Sequence, residues 1–439
     1  MTKQLPDGAA TRDIPTVHAA IASPRALQRE RRALYQFATE LLGCDRPQIL
    51  DTDIIDSPLA RHYIGDALAG HTDLLHSTLV GIDAIAAPTI GTQDLRVASQ
   101  PQANILLAPA WKTIEAQLGR QGAGFGPPQL LTEADGERFT TALELLHAGV
   151  ALARSVSPGL TDDLLPHIAL VGIIDPQRAG RLVSASPRAV PGLVLLKSPR
   201  SSIEVAEALI HEGAHQKLFD LALTHDLLNA NSDRCPPFHP PWTLPGRLWP
   251  LEQSLAACHA YVCLDRFSNN LKLGGELNII ESTHPLDRES LLPVARERSE
   301  ILGRWLLEQG DHLGIDAHRL VEGLIGRRPR NSSATGDITS RAATTDYLID
   351  PPLEVRRCGS PDRVLVGRPS RPPQLYWVSN DAAALLELLG HEPISGIIHA
   401  FADRWQVPQC DAASRLTGML SDLSVSGLVR RHSARNDSG

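Results

Sequence analysis

Apolar residues recur at helical spacing over much of the first third of the chain. Ala19-Ala20-Ile21 and the segment Leu34-Tyr35-Gln36-Phe37-Ala38-Thr39-Glu40-Leu41-Leu42 read as amphipathic, and residues 138–154 read as a further helix. Between 166 and 197 the pattern changes. His167-Ile168-Ala169-Leu170-Val171-Gly172-Ile173-Ile174 and Gly192-Leu193-Val194-Leu195-Leu196 are short apolar runs bounded by Pro and Gly, which predicts strands of a small sheet. Ser201 and Ser202 then mark the start of a helix over about 203–223, with Glu204 and Glu207 near its positive end. A Pro-rich loop, Cys235-Pro236-Pro237-Phe238-His239-Pro240-Pro241-Trp242, precedes helices predicted over 251–270 and 289–309. Residues 327–345 are rich in Arg, Ser and Thr and read as a linker. Beyond them, 355–357, 363–367 and 374–378 read as strands, and 380–389, 393–405 and 410–425 as helices. Three strands followed by three helices make a winged-helix-like α+β unit.

The expected fold class is therefore a mainly α domain with a small β element around the 203–223 helix, plus a C-terminal α+β domain. The expected division is a disordered start over 1–15, a larger domain over 16–326, a linker over 327–350, the α+β unit over 351–431 and a disordered tail over 432–439. No internal repeat of 20–50 residues is present.

Composition narrows the function classes. The 439 residues carry 42 Lys and Arg against 50 Asp and Glu, a net charge of −8, which argues against a nucleic-acid partner. A winged-helix unit could bind DNA, but 380–425 holds only Arg404 and Arg415 as cations. The six cysteines form no CxxC pair, so neither a zinc ribbon nor a disulfide framework is expected. No apolar stretch reaches the length of about 18 residues that a membrane span requires. With no signal-like start, the sequence reads as a soluble cytoplasmic protein. The glycine run 121–126 invites a phosphate-loop reading, but it lacks the preceding strand and the lysine and reads as a loop.

The chemistry concentrates in His211-Glu212-Gly213-Ala214-His215. On a helix, residues four apart lie about 40° from each other, so both imidazoles can reach one metal ion. Glu212 beside them can hold a metal-bound water or take a proton. Chance alone gives about 0.03 such HExxH matches in a chain of this length. The competing reading is a helix with two partly exposed histidines. A metal site needs a third donor. Leu218 and Leu221 stand where a metzincin would carry Gly and His, which excludes that pattern. Glu252 occupies a gluzincin-like position on the next predicted helix. His259, seven residues on and on the same face, is favoured because a histidine in the apolar stretch 255–262 needs a partner. The metal stays open. Zinc with a bound water implies hydrolysis; iron(II) with a facial triad leaves positions for a keto acid and oxygen.

Two resemblances extend this reading. The segments 381–389, 394–398 and 420–429 resemble the PqqD-like domains that bind leader peptides of ribosomally made, post-translationally modified peptides. That resemblance implies a leader added as a strand to the edge of the small sheet. The region 16–325 resembles the HExxH-motif proteins of the same biosynthetic systems. The resemblance is carried by Glu207 to Leu218, Pro241-Trp242, Arg247 and His259-Ala260-Tyr261-Val262. That family implies iron(II)- and 2-oxoglutarate-dependent β-hydroxylation of a peptide, with the ion held by His211, His215 and either His259 or Glu252, and with Glu212 orienting a ligand or water. The distal carboxylate of 2-oxoglutarate then needs a cation, for which Arg266, Lys217 and Arg247 are candidates. The expected partner is a precursor peptide, with no nucleic acid and no membrane and with the oligomeric state open. The alternatives are a zinc metallopeptidase acting on a precursor, with Glu212 as general base, and a non-catalytic adaptor that presents the peptide. The catalytic expectation requires two converging imidazoles and a third donor; without them a peptide-holding scaffold is expected.

Overall fold

The computed structural model describes residues 22–43, 52–71, 86–90, 95–108, 111–112, 129–177, 179, 182–243, 246–273, 290–325, 347–349, 353–358, 360, 362–370, 372–389 and 391–431. Among them the chain is mainly helical with small sheets. Two compact units emerge, one spanning 1–28, 56–62 and 80–330, the other 29–55, 63–79 and 331–439. Segments 29–55 and 63–79 thus belong with the C-terminal part, where the sequence pattern had placed them in 16–326. Helices α1 (Pro24–Leu41) and α2 (Pro58–Leu68) each divide between the units. No helix among the described residues is long and apolar enough to cross a membrane. The 121–126 run, the start over 1–15 and the tail over 432–439 lie outside the described residues. So does the linker 327–350, except for 347–349, which form a strand.

The first unit contains strands β1 (Ala86–Ile90) and β2 (Leu95–Ala98) and helices α3 (Glu137–Val156) and α4 (Pro158–Leu164). Strands β3 (Leu170–Ile174), β4 (Ser184–Ala185) and β5 (Leu193–Lys197) follow, then helices α5 (Ser202–Thr224), α6 (Leu251–Leu273), α7 (Ala295–Glu308) and α8 (Ile315–Leu324). The strands form one sheet in the order β1-β2-β3-β5-β4. β2, β3 and β5 run parallel, and the outer strands β1 and β4 are antiparallel to their neighbours. β3 is buried at every position, as expected of a parallel strand covered on both faces.

Helix α5 follows the sheet directly and is the centre of this unit. Ser201 caps it, its hydroxyl accepting from the Glu204 amide at 3.4 Å. Val205 and Leu209 pack against Leu146, Val150 and Val194 in one core cluster. Ile210, Ala214, Leu218 and Leu221 pack with Leu255, Val262 and Leu302 in another. Apolar contact on both sides explains why this helix shows no single apolar stripe. At Gly149 of α3 the approach of α5 is so close that a Cβ would lie 2.4 Å from the Val205 Cβ.

Several polar residues of α5 fall in rows four apart and are paired with neighbouring segments. In one row, Gln216 accepts from the Gly192 amide at 2.6 Å and donates to the Leu193 carbonyl at 2.7 Å, fixing the start of β5. Asp220 meets His167 Nδ1 at 2.6 Å, and Thr224 donates to the Asp220 carbonyl at 3.1 Å. Beside the row, Lys217 Nζ lies 2.5 Å from Asp163 Oδ1, with both side chains sealed from solvent. Pairing of this kind lets a central helix carry these charges without leaving them uncompensated.

The second unit contains β6 (Tyr347–Ile349), the strands β7 (Glu354–Arg356), β8 (Arg363–Arg368) and β9 (Gln374–Ser379), then α9 (Asn380–Leu389), α10 (Ile394–Trp405), α11 (Gln409–Val425) and β10 (Val429–Arg431). The bounds of β7 to β9 and of α9 to α11 fall within one or two residues of the sequence expectation, whereas β6 lies in the expected linker and β10 was not expected as a strand. β7-β8-β9 form an antiparallel sheet, and β6 pairs with β10. Alternation sorts the two faces of β8. Val364 and Val366 join the core with Leu386, Ile397, Phe401 and Leu420. On the opposite face, Arg363 makes a two-pronged contact with Glu30 at 3.0 and 2.8 Å, and a Cβ at Gly367 would meet Phe37 and Leu41 of α1. Arg356 adds a bidentate pair with Glu40 and lies over the Phe37 ring. Both faces of this sheet are thereby covered.

Candidate metal centre

His211 and His215 project from the same face of α5, and their rings converge. Their Nε2 atoms are 3.2 Å apart, with ring centroids 4.7 Å apart and planes nearly perpendicular at 83°. Two imidazole nitrogens bound at metal distance to one ion would be separated by about 3.0 to 3.3 Å, depending on the angle at the ion. Burial pushes the His211 pKa down. It pushes His215 down to about 4, with the neighbouring His211 adding to the effect. Both rings are therefore neutral near pH 7 and offer lone pairs, the form a metal requires.

Glu212 faces the edge of the sheet. Its carboxylate accepts from the Ser184 hydroxyl at 2.5 Å, and Ser186 donates to the Glu212 carbonyl at 3.3 Å. Strand β4 is thus fastened to the motif itself. A cavity of about 270 Å³ opens here, with His211 and Glu212 at one end, Ser184 and Lys197 of the sheet edge along it, and Glu204 and Glu207 on the helix side. Glu207, one turn before His211, accepts from Ser290 at 2.7 Å and from the Leu291 amide at 2.5 Å. Burial raises its pKa, and those two donors oppose the rise. It holds the cavity wall.

An aromatic group stands on the other side of His211. The Tyr261 ring lies 6.1 Å from the His211 ring and 6.2 Å from Trp242, which in turn contacts Phe238 and Trp249. Nδ1 of His211 is buried and has no hydrogen-bond partner among the described residues.

The third donor does not arrive as the sequence suggested. Among the described residues no group of three His, Cys, Asp or Glu side chains is placed to hold an ion. His259 is fully buried; its Nδ1 lies 2.9 Å from the Ala214 carbonyl, joining α6 to α5, while its Nε2 is buried with no hydrogen-bond partner among the described residues. Its pKa is pushed down to about 3, by burial first and by Lys217 second. Glu252 is half-exposed and pairs with Arg188. The cation candidates for a cosubstrate carboxylate are corrected as well. Lys217 is locked to Asp163, Arg247 is exposed, and neither these two nor Arg266 borders the cavity. The pattern had also passed over Ser184 and Ser290, and it named Tyr261 only within the 259–262 segment, with no role at the site. Only Glu207, four residues before His211, carried a local signal in its spacing.

No protein-family model matches the chain, and no curated protein matches it.

Proposed function

We propose that this protein is a metal-dependent enzyme that modifies a peptide: an iron(II)- and 2-oxoglutarate-dependent hydroxylase of a side-chain β-carbon in a ribosomally made precursor. The observation that supports this most is the convergence of two neutral imidazoles at 3.2 Å beside a cavity bounded by a sheet edge. The resemblance of the 207–218 and 259–262 segments to HExxH peptide hydroxylases supplies the reaction class.

His211 and His215 fit an ion as a pair, and His259, whose Nε2 is buried without a partner among the described residues, is the donor that would have to close on them to complete the site. When bound, iron(II) with 2-oxoglutarate and oxygen supplies the oxidising power to replace a C–H bond by C–OH. His211 and His215 would hold the ion. Glu212, fixed by Ser184, orients a water or a ligand beside them. β4 pairs with β5 on one side only among the described residues, and its other edge, next to Glu212, would offer backbone groups to a peptide. In the second unit both sheet faces are covered, so the edges at β7 and β9 are the places where a leader could add as a strand, as in a PqqD-like domain.

The HExxH spacing carries one second reading, zinc-dependent peptide hydrolysis with Glu212 as general base. One experiment separates the two. Anaerobically purified full chain is analysed for metal, then incubated with precursor peptide under iron(II), 2-oxoglutarate and air, or under zinc alone. A gain of one oxygen atom that depends on 2-oxoglutarate supports hydroxylation. Two fragments under zinc support hydrolysis. Modification by the complete biosynthetic set that survives His211→Ala overturns both and leaves a presenting scaffold.

A further inference from the structure

We propose that the cavity beside the imidazole pair receives a basic side chain of the peptide, lysine or arginine, with the Glu207 carboxylate as its counter-charge. This rests on reading the protein as a peptide-modifying enzyme.

Glu207 lines the cavity together with His211 and Glu212, and it is only 9% exposed. It stands one turn before His211, about 6 Å along the axis of α5, so a peptide whose reacting residue sits at the imidazoles carries a neighbouring side chain past it. Its carboxylate accepts from the Ser290 hydroxyl at 2.7 Å and from the Leu291 amide at 2.5 Å. Both partners are donors, which is the surrounding of an ionised carboxylate, since a protonated acid needs an acceptor for its own hydrogen. Buried charges elsewhere in this unit meet opposite ones, Lys217 with Asp163 and Arg61 with Asp56. Glu207 has no cation beside it among the described residues. The two cations of the lining belong to the segment leading into α5: Arg200 is mostly exposed and paired with Glu204 at 3.1 Å, Lys197 ends β5, and neither pairs with Glu207. A carboxylate buried without a counter-charge is costly, and at the wall of a cavity a cationic ligand relieves that cost. A carboxylate offers about four acceptor positions, so room remains here for an ammonium or a guanidinium. Val183, Leu196, Ile203 and Ala208 line the same space and supply the apolar surface along which a long alkyl stem lies. The volume of about 270 Å³ suits one such side chain. The net charge of −8 is in keeping with a basic partner.

Metal-free full-length protein is titrated with short, fluorescein-labelled, C-terminally amidated peptides of alanine and serine that carry a single central lysine, arginine, norleucine or citrulline. Binding is read by fluorescence anisotropy up to millimolar concentration. The wild type is expected to bind the lysine and arginine peptides about ten- to a hundred-fold more tightly than their neutral counterparts, norleucine and citrulline, as a charge-assisted contact requires. Glu207→Gln, which keeps the shape of the side chain, should abolish that preference without weakening the neutral peptides, and Glu207→Asp, which keeps the charge, should retain part of it. This outcome supports the proposal. Equal binding of basic and neutral peptides by the wild type overturns it and leaves the peptide reading standing, as does a basic preference that survives Glu207→Gln unchanged. A protein that binds none of the peptides overturns the proposal and counts against the peptide reading as well. Thermal melts show whether both variants are folded. A further arm needs no variant. With Mn2+ added to the wild type, the ε-methylene protons of the bound lysine peptide should broaden more than the methyl protons at its ends, and equal broadening overturns the proposal. A chain that takes no Mn2+ counts against the imidazole reading, while the anisotropy titrations still decide the role of Glu207.

Discussion

Replacing Lys217 by Met tests the buried charge beneath the motif. Lys217 and Asp163 are 1% and 0% exposed at their side chains and 2.5 Å apart. At an effective dielectric near 20, a unit pair at that distance attracts by about 7 kcal/mol. Most of that attraction offsets the desolvation of both groups, so the net worth of the pair against an apolar replacement is small. Removing one partner is another matter, because the Asp163 carboxylate then stays buried without its cation, a cost of about 3–5 kcal/mol. That is a large part of the roughly 5–15 kcal/mol that holds a domain together. Urea unfolding followed by far-UV circular dichroism should show Lys217→Met losing about that much. The double variant Lys217→Met with Asp163→Leu should recover most of it, since no unpaired charge remains. Metal binding should persist in whichever variants fold. A loss under about 1 kcal/mol in the single variant, or a double variant no better than the single, would refute the reasoning. Loss of 2-oxoglutarate affinity with stability unchanged would instead return Lys217 to the cosubstrate role suggested by sequence.

Three further expectations follow from the same region. Gly149→Ala should destabilise by about 1–3 kcal/mol, read from the urea midpoint, because its Cβ would meet the Val205 Cβ at 2.4 Å and this outweighs the gain in helix propensity. Gln216→Ala strands the Gly192 amide and the Leu193 carbonyl, and hydrogen exchange at Gly192 should accelerate well before global unfolding does. The metal-free protein should be fully stable above about pH 6.5, where unfolded histidine is neutral. Its stability should fall as pH drops toward about 4 and then about 3, because the unfolded chain takes up protons that His215 and His259 refuse while folded. His259→Gln should reduce that slope by one proton in denaturation curves taken across the window; an unchanged slope would show that the folded ring already accepts the proton.

Local pattern made α5 and most of the second unit legible. The capping serine and the apolar residues around the motif placed the helix over 203–223 against the observed Ser202–Thr224, and the three strands and three helices of the second unit fell close to their final bounds. Pairing across space was not legible. Strand β4 is two residues of Ser and Ala with no apolar run, yet it positions Glu212. The spacing of Glu252 and His259 located one face of α6 but not what lies opposite it, which for His259 is the Ala214 carbonyl. The segment 34–42 was correctly read as amphipathic, but its partners, Arg356 and Gly367, lie more than 300 positions away in the chain. Lys217 looked like an available cation because a sequence cannot show that Asp163 is waiting for it.

The rows of satisfied polar groups on α5 have an evolutionary corollary. The imidazoles share their scaffold with Gln216, Lys217 and Asp220, each committed to a different neighbouring segment. A mutation that tilts or slides this helix to suit a new substrate would break several of those commitments at once. Diversification among descendants of such a protein is therefore expected to spare the motif-bearing rod and to accumulate in the short β4 border, the Ser290 wall and the strand edges of the second unit.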